Sequence, residues 1–446
     1  MEFIDNFFAE FVDIAWGWQT AVLLLGAGVY FSIKTKLKPF RYLGYAFEVL
    51  MGKHPSKDEV GEVSHFRALT ASLSGTIGLG NIAGVAVAIQ LGGPGAIFWM
   101  WVTAVFGIAT KFFTATLSVL YRETGPDGKP NAGTMYIIKN GLPKYMLPLA
   151  YFFAFAGVIA GLPAFQANQV VQLTNDLYFP EVENFKYYAG AFLVIVTAMV
   201  VLGGLKRIAN VSAWLVPFMG GLYLSAVLFA VLLNYDQFLP AIGLIVSEAF
   251  SINSAVAGGL VGVILTGIKR GAFSNEAGIG TEALIHGAAK TTNPVKQGLI
   301  AMTGPIFDTL IMCTLTAVII LISGVWQTSD SAGVTLTSEA FLSTLGPIGP
   351  IILFVCVISF GMSTIFTYSY YGSACSKFLF GENSVKIYQY IFIIFVFIFS
   401  ITSLDLALNV IDSAFAMMAI PTLIASIWLA PKVIEQSEKY FASLKK

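Results

Sequence analysis

Apolar residues fall along this chain in long blocks separated by short polar segments. A membrane-crossing helix needs about 20 mostly apolar residues. A window of that length finds eleven candidate blocks: 14–33, 66–91, 95–121, 145–173, 187–205, 210–233, 253–289, 297–326, 347–377, 387–404 and 408–431. The pattern predicts an all-α polytopic membrane protein, eleven transmembrane helices in one domain over residues 1–446.

Two blocks depart from the pattern. Residues 74–84 read SGTIGLGNIAG, with four glycines and Asn81 where continuous helix is expected. The seventh block contains TGIKRGAFSNEAGIGTEALIHGAA. At about 1.5 Å per residue an unbroken helix over that block would overshoot a hydrocarbon core of about 30 Å, and its glycines and charges weaken helix. Both are predicted as broken helices, with defects near Gly78 and Gly278 about 200 residues apart. That separation divides the last ten blocks into two sets of five, about 66–233 and about 253–431, which cross in opposite directions. Paired, glycine-interrupted segments at matching positions of two halves point to an inverted-repeat secondary transporter with its site near mid-membrane. The block 14–33 is then an extra helix outside the repeat.

Lysine and arginine set the direction. If the first block runs outside to inside, one face collects Lys34, Lys36, Lys38, Arg41, Lys53, Lys57, Arg67, Arg122, Lys129, Lys206, Lys290, Lys377, Lys445 and Lys446, among others, and the opposite face has only Lys186. The positive-inside bias therefore predicts a cell-membrane protein with its amino terminus outside and its carboxyl terminus in the cytoplasm. Acidic residues such as Asp176, Asp236, Asp405 and Asp412 are read as outer-loop groups. Lys111 is expected to snorkel from the end of its helix.

Composition agrees with the class: 57 % of residues are hydrophobic and 11 % charged, against about 25 % charged in a soluble domain. The 25 basic and 25 acidic side chains cancel, so no net field points to nucleic acid. Cys313, Cys356 and Cys375 stand singly and read as ordinary buried thiols. H-E-x-x-H, G-x-S-x-G and paired-cysteine motifs are absent, so the reading is not an enzyme, and no cofactor is implied.

Lipid cannot hydrogen-bond a backbone, so unwound peptide groups at membrane depth cost several kcal/mol each, on the order of a buried unsatisfied amide, unless protein, water or ligand satisfies them. Half-helix N-termini suit a carboxylate, and freed carbonyls suit a cation. Asn81 in one break, and Asn275 and Glu276 beside the other, add polar side chains at the same depth. Close packing through small residues is the competing reading of the glycines. Intramembrane carboxylates are functional candidates by default, which adds Glu282 and Asp308. Glu276 is expected to attract an ammonium or a cation, or to pair with Lys269 or Arg270 as a gate; a purely structural pairing of Arg270 is the alternative. His286 reads as a helix-end residue.

At GGPGAIFWMWVTAVFG, residues 92–107, and GAFSNEAGIGTEALIHGAA, residues 271–289, the chain resembles the alanine or glycine:cation symporters, also called the sodium:alanine symporter family. The resemblance covers nearly the whole chain from about residue 66. It implies a LeuT-type fold of two inverted five-helix repeats, and sodium-coupled symport of alanine or glycine. It also implies that Gly78, Leu79, Gly80 and Asn81, the GLGN run, form the unwound segment whose amides receive the substrate carboxylate, beside Thr76. Carbonyls of Ser74 and Ile77, with the hydroxyls of Ser363 and Thr364, would ligate sodium; back-bonding of the two hydroxyls to their own helix is the alternative. A second sodium site is not established by these residues. Ser274, Asn275, Glu276 and Gly278 are the counterpart contacts in the second break. In the fourth block Gln166 and Gln169 lie about one turn apart, where one could bind the amino group; tying their helix to neighbours is the alternative. Phe165 and Phe273 are the candidate walls limiting side-chain size. Phe98, Trp99 and Trp101 read as interface anchors, and the loop 121–145 as polar, with an amphipathic remainder on the membrane surface. Proton coupling through Glu276 or His286 is the competing transport reading; a channel is the more distant one.

Overall fold

The structure is a computed structural model that describes residues 2–51, 53–54, 61–126, 128–251 and 259–444. Lys57, Lys445, Lys446 and residues 253–258 of the seventh block lie outside the described residues.

The chain is almost entirely helical. An amino-terminal pair, α1 (Glu2–Ala15) and α2 (Trp18–Lys34), bends by 44° and is followed by the short α3 (Lys38–Arg41) and α4 (Leu43–Leu50). The first interrupted block is α5 (His65–Thr76) and α6 (Ala83–Gly92), bent by 54°, and α7 (Gly95–Leu120) returns from it. A hairpin of β1 (Glu123–Thr124) and β2 (Pro130–Asn131) leads into α8 (Thr134–Gly141). Next come α9 (Pro148–Ala160) and α10 (Ala164–Tyr178), separated at Pro163, which has no N–H to continue the ladder. The long helices α11 (Phe185–Val201) and α12 (Gly204–Leu233) and the surface helix α13 (Tyr235–Glu248) close the first half.

The second half opens with α14 (Gly259–Asn275), a five-residue gap, and α15 (Thr281–His286). Asn293 caps α16 (Pro294–Ala301), its side chain accepting from the N–H groups of Val295 and Lys296 at 3.1 and 3.2 Å. A π-helical stretch, Ile306–Cys313, runs into α17 (Thr314–Ser323). The remaining helices are α18 (Val334–Leu345), α19 (Ile348–Phe380), α20 (Ser384–Ser400), α21 (Leu404–Trp428) and α22 (Ala430–Ser443).

Among the described residues six helical stretches are long and apolar enough to cross a membrane, or up to eight if each of two bent pairs is one span. Phe192, Trp214, Phe229 and Ile394, on α11, α12 and α20, are exposed, an apolar outer face suited to lipid. α7, α14, α16 and α21 form the interior, and α19 packs on both α5 and α10. α1 lies along α21, and α2 along α7 and α21.

Several sequence expectations meet a different arrangement. The residues after the hairpin do not lie along a surface: Thr134, Met135, Ile137 and Ile138 of α8 are buried, and Leu284 of α15 fills the space beside Gly133. The polar turn residues before α8 carry the chain back under the core, where its apolar side is covered by protein. Lys111 is 1 % exposed, held inside the bundle rather than reaching an interface. Asp412 is buried within α21, 1 % exposed, rather than in an outer loop. Lys269 and Arg270 pair with it, not with Glu276. Trp99 and Trp101 donate to the Ala249 carbonyl at 2.9 Å and the Thr314 hydroxyl at 2.8 Å, so both indoles pin helices together.

Candidate functional site

The first break begins where α5 ends at Thr76. Gly78 takes an extended backbone, φ −136° and ψ −157°, and residues Leu79–Asn81 form one 3-10 turn before α6 starts. Asn81 closes the turn on itself, its side-chain oxygen accepting the Gly78 N–H at 2.9 Å. A Cβ at Gly78 would collide with the Thr364 hydroxyl, so only glycine lets the break press against α19.

The second break spans residues 276–280. Glu276, Gly278 and Gly280 all have positive φ, at 55°, 86° and 95°. Such angles are routine for glycine and rare for glutamate. Glu276 is held there by its carboxylate, which accepts from the Tyr368 hydroxyl at 2.7 Å and from the Thr281 hydroxyl. Asn275 turns its side-chain oxygen onto the Ala277 N–H at 2.9 Å and its amide onto the Thr309 hydroxyl at 3.3 Å.

The two breaks are joined through the π-helical stretch. The Asn81 amide donates to the Asp308 carboxylate and also lies 3.3 Å from the Ser274 hydroxyl, which donates to the same carboxylate oxygen at 2.9 Å. Thr316 donates to the Asn81 carbonyl at 2.6 Å. Asn81, Ser274, Asn275, Glu276 and Asp308 are all fully buried. Of the unwound peptide groups, the Asn81 carbonyl is satisfied by Thr316 of α17, and the Gly78 and Ala277 N–H groups by the asparagines of the breaks themselves.

Beside the first break a second polar cluster links α5 to α19. The Thr364 hydroxyl lies 2.9 Å from the Ser74 carbonyl and the Ser363 hydroxyl 3.5 Å from it, while the Ser74 hydroxyl donates to the Ser363 carbonyl at 2.8 Å. Thr367 adds its hydroxyl 3.0 Å from that of Ser74. Both Ser363 and Thr364 also reach the Phe360 carbonyl of their own helix, at 2.9 and 3.0 Å. Each hydroxyl has one proton, so whichever carbonyl it uses, its lone pairs stay open to a cation. Ile77 sits one residue before Gly78, the glycine that abuts Thr364.

Aromatic rings bound the space between the breaks. Phe165 and Phe273 meet edge to face at 5.4 Å, and a Cβ at Gly80 would lie 3.1 Å from the Phe273 ring. Phe415 stands 5.7 Å from Phe273 and 6.5 Å from Tyr368. Gln166 is buried beside Tyr368 with its side-chain oxygen unpartnered among the described residues. Gln169 is turned elsewhere: it accepts the Val334 N–H at 3.0 Å and donates to Asn168 and Gln172, tying α10 to the start of α18.

Ionic and imidazole contacts flank the centre. Arg270 lies over the Phe273 ring at 5.1 Å and pairs with Asp412, which also meets Lys269 at 3.0 Å. The Asp412 carbonyl accepts the Trp16 indole N–H at 2.7 Å. On the opposite side Gln297 bridges His65, at the start of α5, and His286, at the end of α15, with both contacts at 2.6 Å. Glu282 is buried with Thr114 on one oxygen at 2.5 Å.

Comparison with known proteins places this arrangement. The model of the sodium:alanine symporter family matches residues 1–446. The chain belongs to that family. Its relatives include the sodium/alanine symporter AgcS of Methanococcus maripaludis, 40 % identical over 96 % of this chain and 95 % of the relative. The probable sodium/glutamine symporter GlnT of Bacillus subtilis is 33 % identical over 97 % of this chain and 90 % of GlnT. Among solved structures, that of MhsT in complex with L-phenylalanine superposes with a TM-score of 0.59 at 14 % identity, covering 85 % of this chain and 98 % of that one. The fold is shared with MhsT, the LeuT type implied by the sequence motifs. The members are transporters, not enzymes, and this symporter-family chain is a multi-pass membrane protein.

Of the candidate residues, Gly78, Gly80, Asn81, Phe165, Phe273, Ser274 and Asn275 are linked around the junction of the breaks. Thr76 ends α5, Leu79 lies against Gly361 of α19, Glu276 is bound by Tyr368 and Thr281, and Ser74, Ser363 and Thr364 form the adjoining oxygen cluster. Gly278 faces away: a Cβ there would meet Leu24 and Leu423. Tyr368, Thr281 and Asp412 were not singled out for the site. Tyr368 lies one turn beyond Thr364, so the run SFGMSTIFTYSYYG already carried it on the hydroxyl face.

Proposed function

We propose that this chain moves a small neutral amino acid, alanine or glycine, into the cell together with sodium by alternating access. In this reading eleven helices cross the membrane, with the amino terminus outside and the carboxyl terminus in the cytoplasm. The segments 66–233 and 253–431 are inverted five-helix repeats. Sodium sits among the Ser74 and Ile77 carbonyls and the Ser363 and Thr364 hydroxyls, neutral oxygens suited to a hard monovalent ion. The amino acid lies with its carboxylate toward the amides of Gly78, Leu79, Gly80 and Asn81, near the second-break groups Asn275 and Glu276.

The observation that carries the reading is the meeting of both helix breaks at Asn81, Ser274 and Asp308. The Ser74–Thr364 oxygen pair beside the first break supports the ion. Side-chain size is supported by the Phe165–Phe273 pair. Relatives are named for alanine and for glutamine, so a wall at this position is the simplest discriminator between them. Inward movement of one positive charge gains about 2.3 kcal/mol per 100 mV of inside-negative potential, enough to drive accumulation.

The test is uptake of labelled alanine, glycine and glutamine into proteoliposomes under an inward sodium gradient, a proton gradient, or neither. Sodium-driven uptake of alanine and glycine is expected; identical rates with and without sodium overturn the coupling. Proton-driven uptake would move the coupling to Glu276, the carboxylate inside the second break.

A further inference from the structure

One face of α19 reaches both helix breaks. The Thr364 hydroxyl lies 2.9 Å from the Ser74 carbonyl, and the Thr367 hydroxyl lies 3.0 Å from that of Ser74, beside the first break. Tyr368, one turn after Thr364, donates to the Glu276 carboxylate of the second break at 2.7 Å. Residues four apart on a helix share a face, and α19 runs unbroken from Ile348 to Phe380. A shift of this helix at the first break is therefore felt at the second.

The second contact is held around an unfavourable backbone. Gly278 and Gly280 take positive φ freely, whereas Glu276 at φ 55° does so under strain. Glycine would serve that turn better, so what glutamate adds is its carboxylate. One oxygen accepts from Tyr368 and the other from Thr281, the first residue of α15, across the gap. The carboxylate thus staples the two ends of the break and fastens them to α19. Tyr368 and Glu276 are both buried, so a hydroxyl drawn off the carboxylate has no bulk water to replace it. The contact is made or lost with the position of the helix.

We propose that Tyr368 is a positioning residue that couples the ion to the second break. This coupling rests on the transport reading, in which sodium sits at Ser74, Ile77, Ser363 and Thr364. Sodium draws α19 toward α5, and the same helix seats Tyr368 on Glu276. The second break then keeps the shape that meets the amino acid. When the ion leaves, α19 moves back and the Tyr368 hydroxyl leaves the carboxylate. Two ligands that favour the same state must each raise the other's affinity by the same factor. Tyr368 therefore sets how strongly sodium tightens alanine binding.

Equilibrium binding of labelled alanine to the purified full chain in detergent is titrated from zero to saturating sodium, with choline holding the ionic strength constant. In the wild type, sodium should tighten alanine binding. Tyr368→Phe, which removes one hydroxyl, should reduce that sodium effect about tenfold and leave the affinity in sodium-free buffer within about twofold of the wild type. Glu276→Gly, which suits the backbone angle and removes the carboxylate, should reduce the sodium effect similarly. The double variant should lose no more than either single one, the mark of a shared contact. Tyr371→Phe, three residues on, removes a hydroxyl that has no partner among the described residues and should leave the effect unchanged. Melting curves show which variants fold, and either single variant decides the question alone. A wild-type sodium effect in a folded Tyr368→Phe or Glu276→Gly variant overturns the coupling role while the transport reading stands. Equal weakening at every sodium concentration in Tyr368→Phe makes the tyrosine part of the pocket or the scaffold, and overturns it as well. Alanine binding that ignores sodium in the wild type fails the transport reading itself, and the coupling with it.

Discussion

The side-chain amide of Asn81 donates to the carboxylate of Asp308, 227 residues later in the chain. Ser274 donates to the same oxygen, so one carboxylate holds both interrupted helices in register. Asp308→Ala removes that acceptor and leaves the Asn81 amide with neutral partners, among them the residue-308 carbonyl at 3.2 Å and the Ser274 hydroxyl at 3.3 Å, and Ser274 with Thr309 and Cys313. Hydrogen bonds to charged groups contribute about 1.5–3 kcal/mol, so initial rates of sodium-driven alanine uptake should drop at least about tenfold. Asp308→Asn, which keeps one oxygen, should fall between. Wild-type rates in the alanine variant would show that the breaks do not depend on this junction.

The oxygen cluster makes a separable prediction. Thr364→Ala should raise the sodium concentration for half-maximal uptake about tenfold, the effect of one lost oxygen contact. At saturating sodium, alanine affinity should be near that of the wild type. Equal losses at every sodium concentration would instead mark Thr364 as a structural tie between α5 and α19.

Selectivity should follow Phe273 and Gly80. Their close approach leaves no room for a Cβ without movement of the ring, so Gly80→Ala should depress alanine uptake more than glycine uptake. Phe273→Ala should admit larger side chains; one added methylene changes discrimination by about 1–3 kcal/mol. Competition of labelled alanine by unlabelled glycine, alanine and glutamine measures the shift, and an unchanged rank order in both variants removes the wall from these residues.

Asp412 should matter more for stability than its pairing partners suggest. Asp412→Ala strands Lys269 and Arg270 without their shared counter-charge, which costs about 3–5 kcal/mol in buried pairs. The detergent-solubilised melting temperature should fall sharply. Replacing Asp412 and Arg270 together by leucine should recover much of the loss, because no buried guanidinium is left over. If the double variant melts no higher than the single one, the loss comes from Asp412 alone rather than from the stranded charge.

The two helix breaks were legible because their cause is local. Glycines and an asparagine clustered in an apolar block weaken helix through their own backbone and side chains, and the helix breaks at Gly78 and at residues 276–280. The hydroxyl pair Ser363 and Thr364 was legible through the family's motif. Asp412 was not: a single acid near the start of an apolar block looks like a loop residue, and its partner Arg270 lies 142 positions earlier. The burial of α8 was hidden for the opposite reason. An amphipathic stretch has the same pattern whether its apolar side meets lipid or protein, and only the fold supplies Leu284 beside it. Gln169 shows the limit for polar side chains, since its spacing from Gln166 revealed a shared face and not which neighbour each would choose.

The Trp16 indole and the Asp412 carbonyl are separated by 396 residues. During synthesis α1 and α2 therefore cannot finish docking until α21, hundreds of residues later, has been made. Until then the Trp16 indole lacks its native acceptor and the facing surface of α1 has no α21 to cover it. Nascent chains arrested before residue 412 should expose Trp16 to quenchers, and chains arrested well after it should not, so assembly of this protein closes as a ring rather than growing from one end.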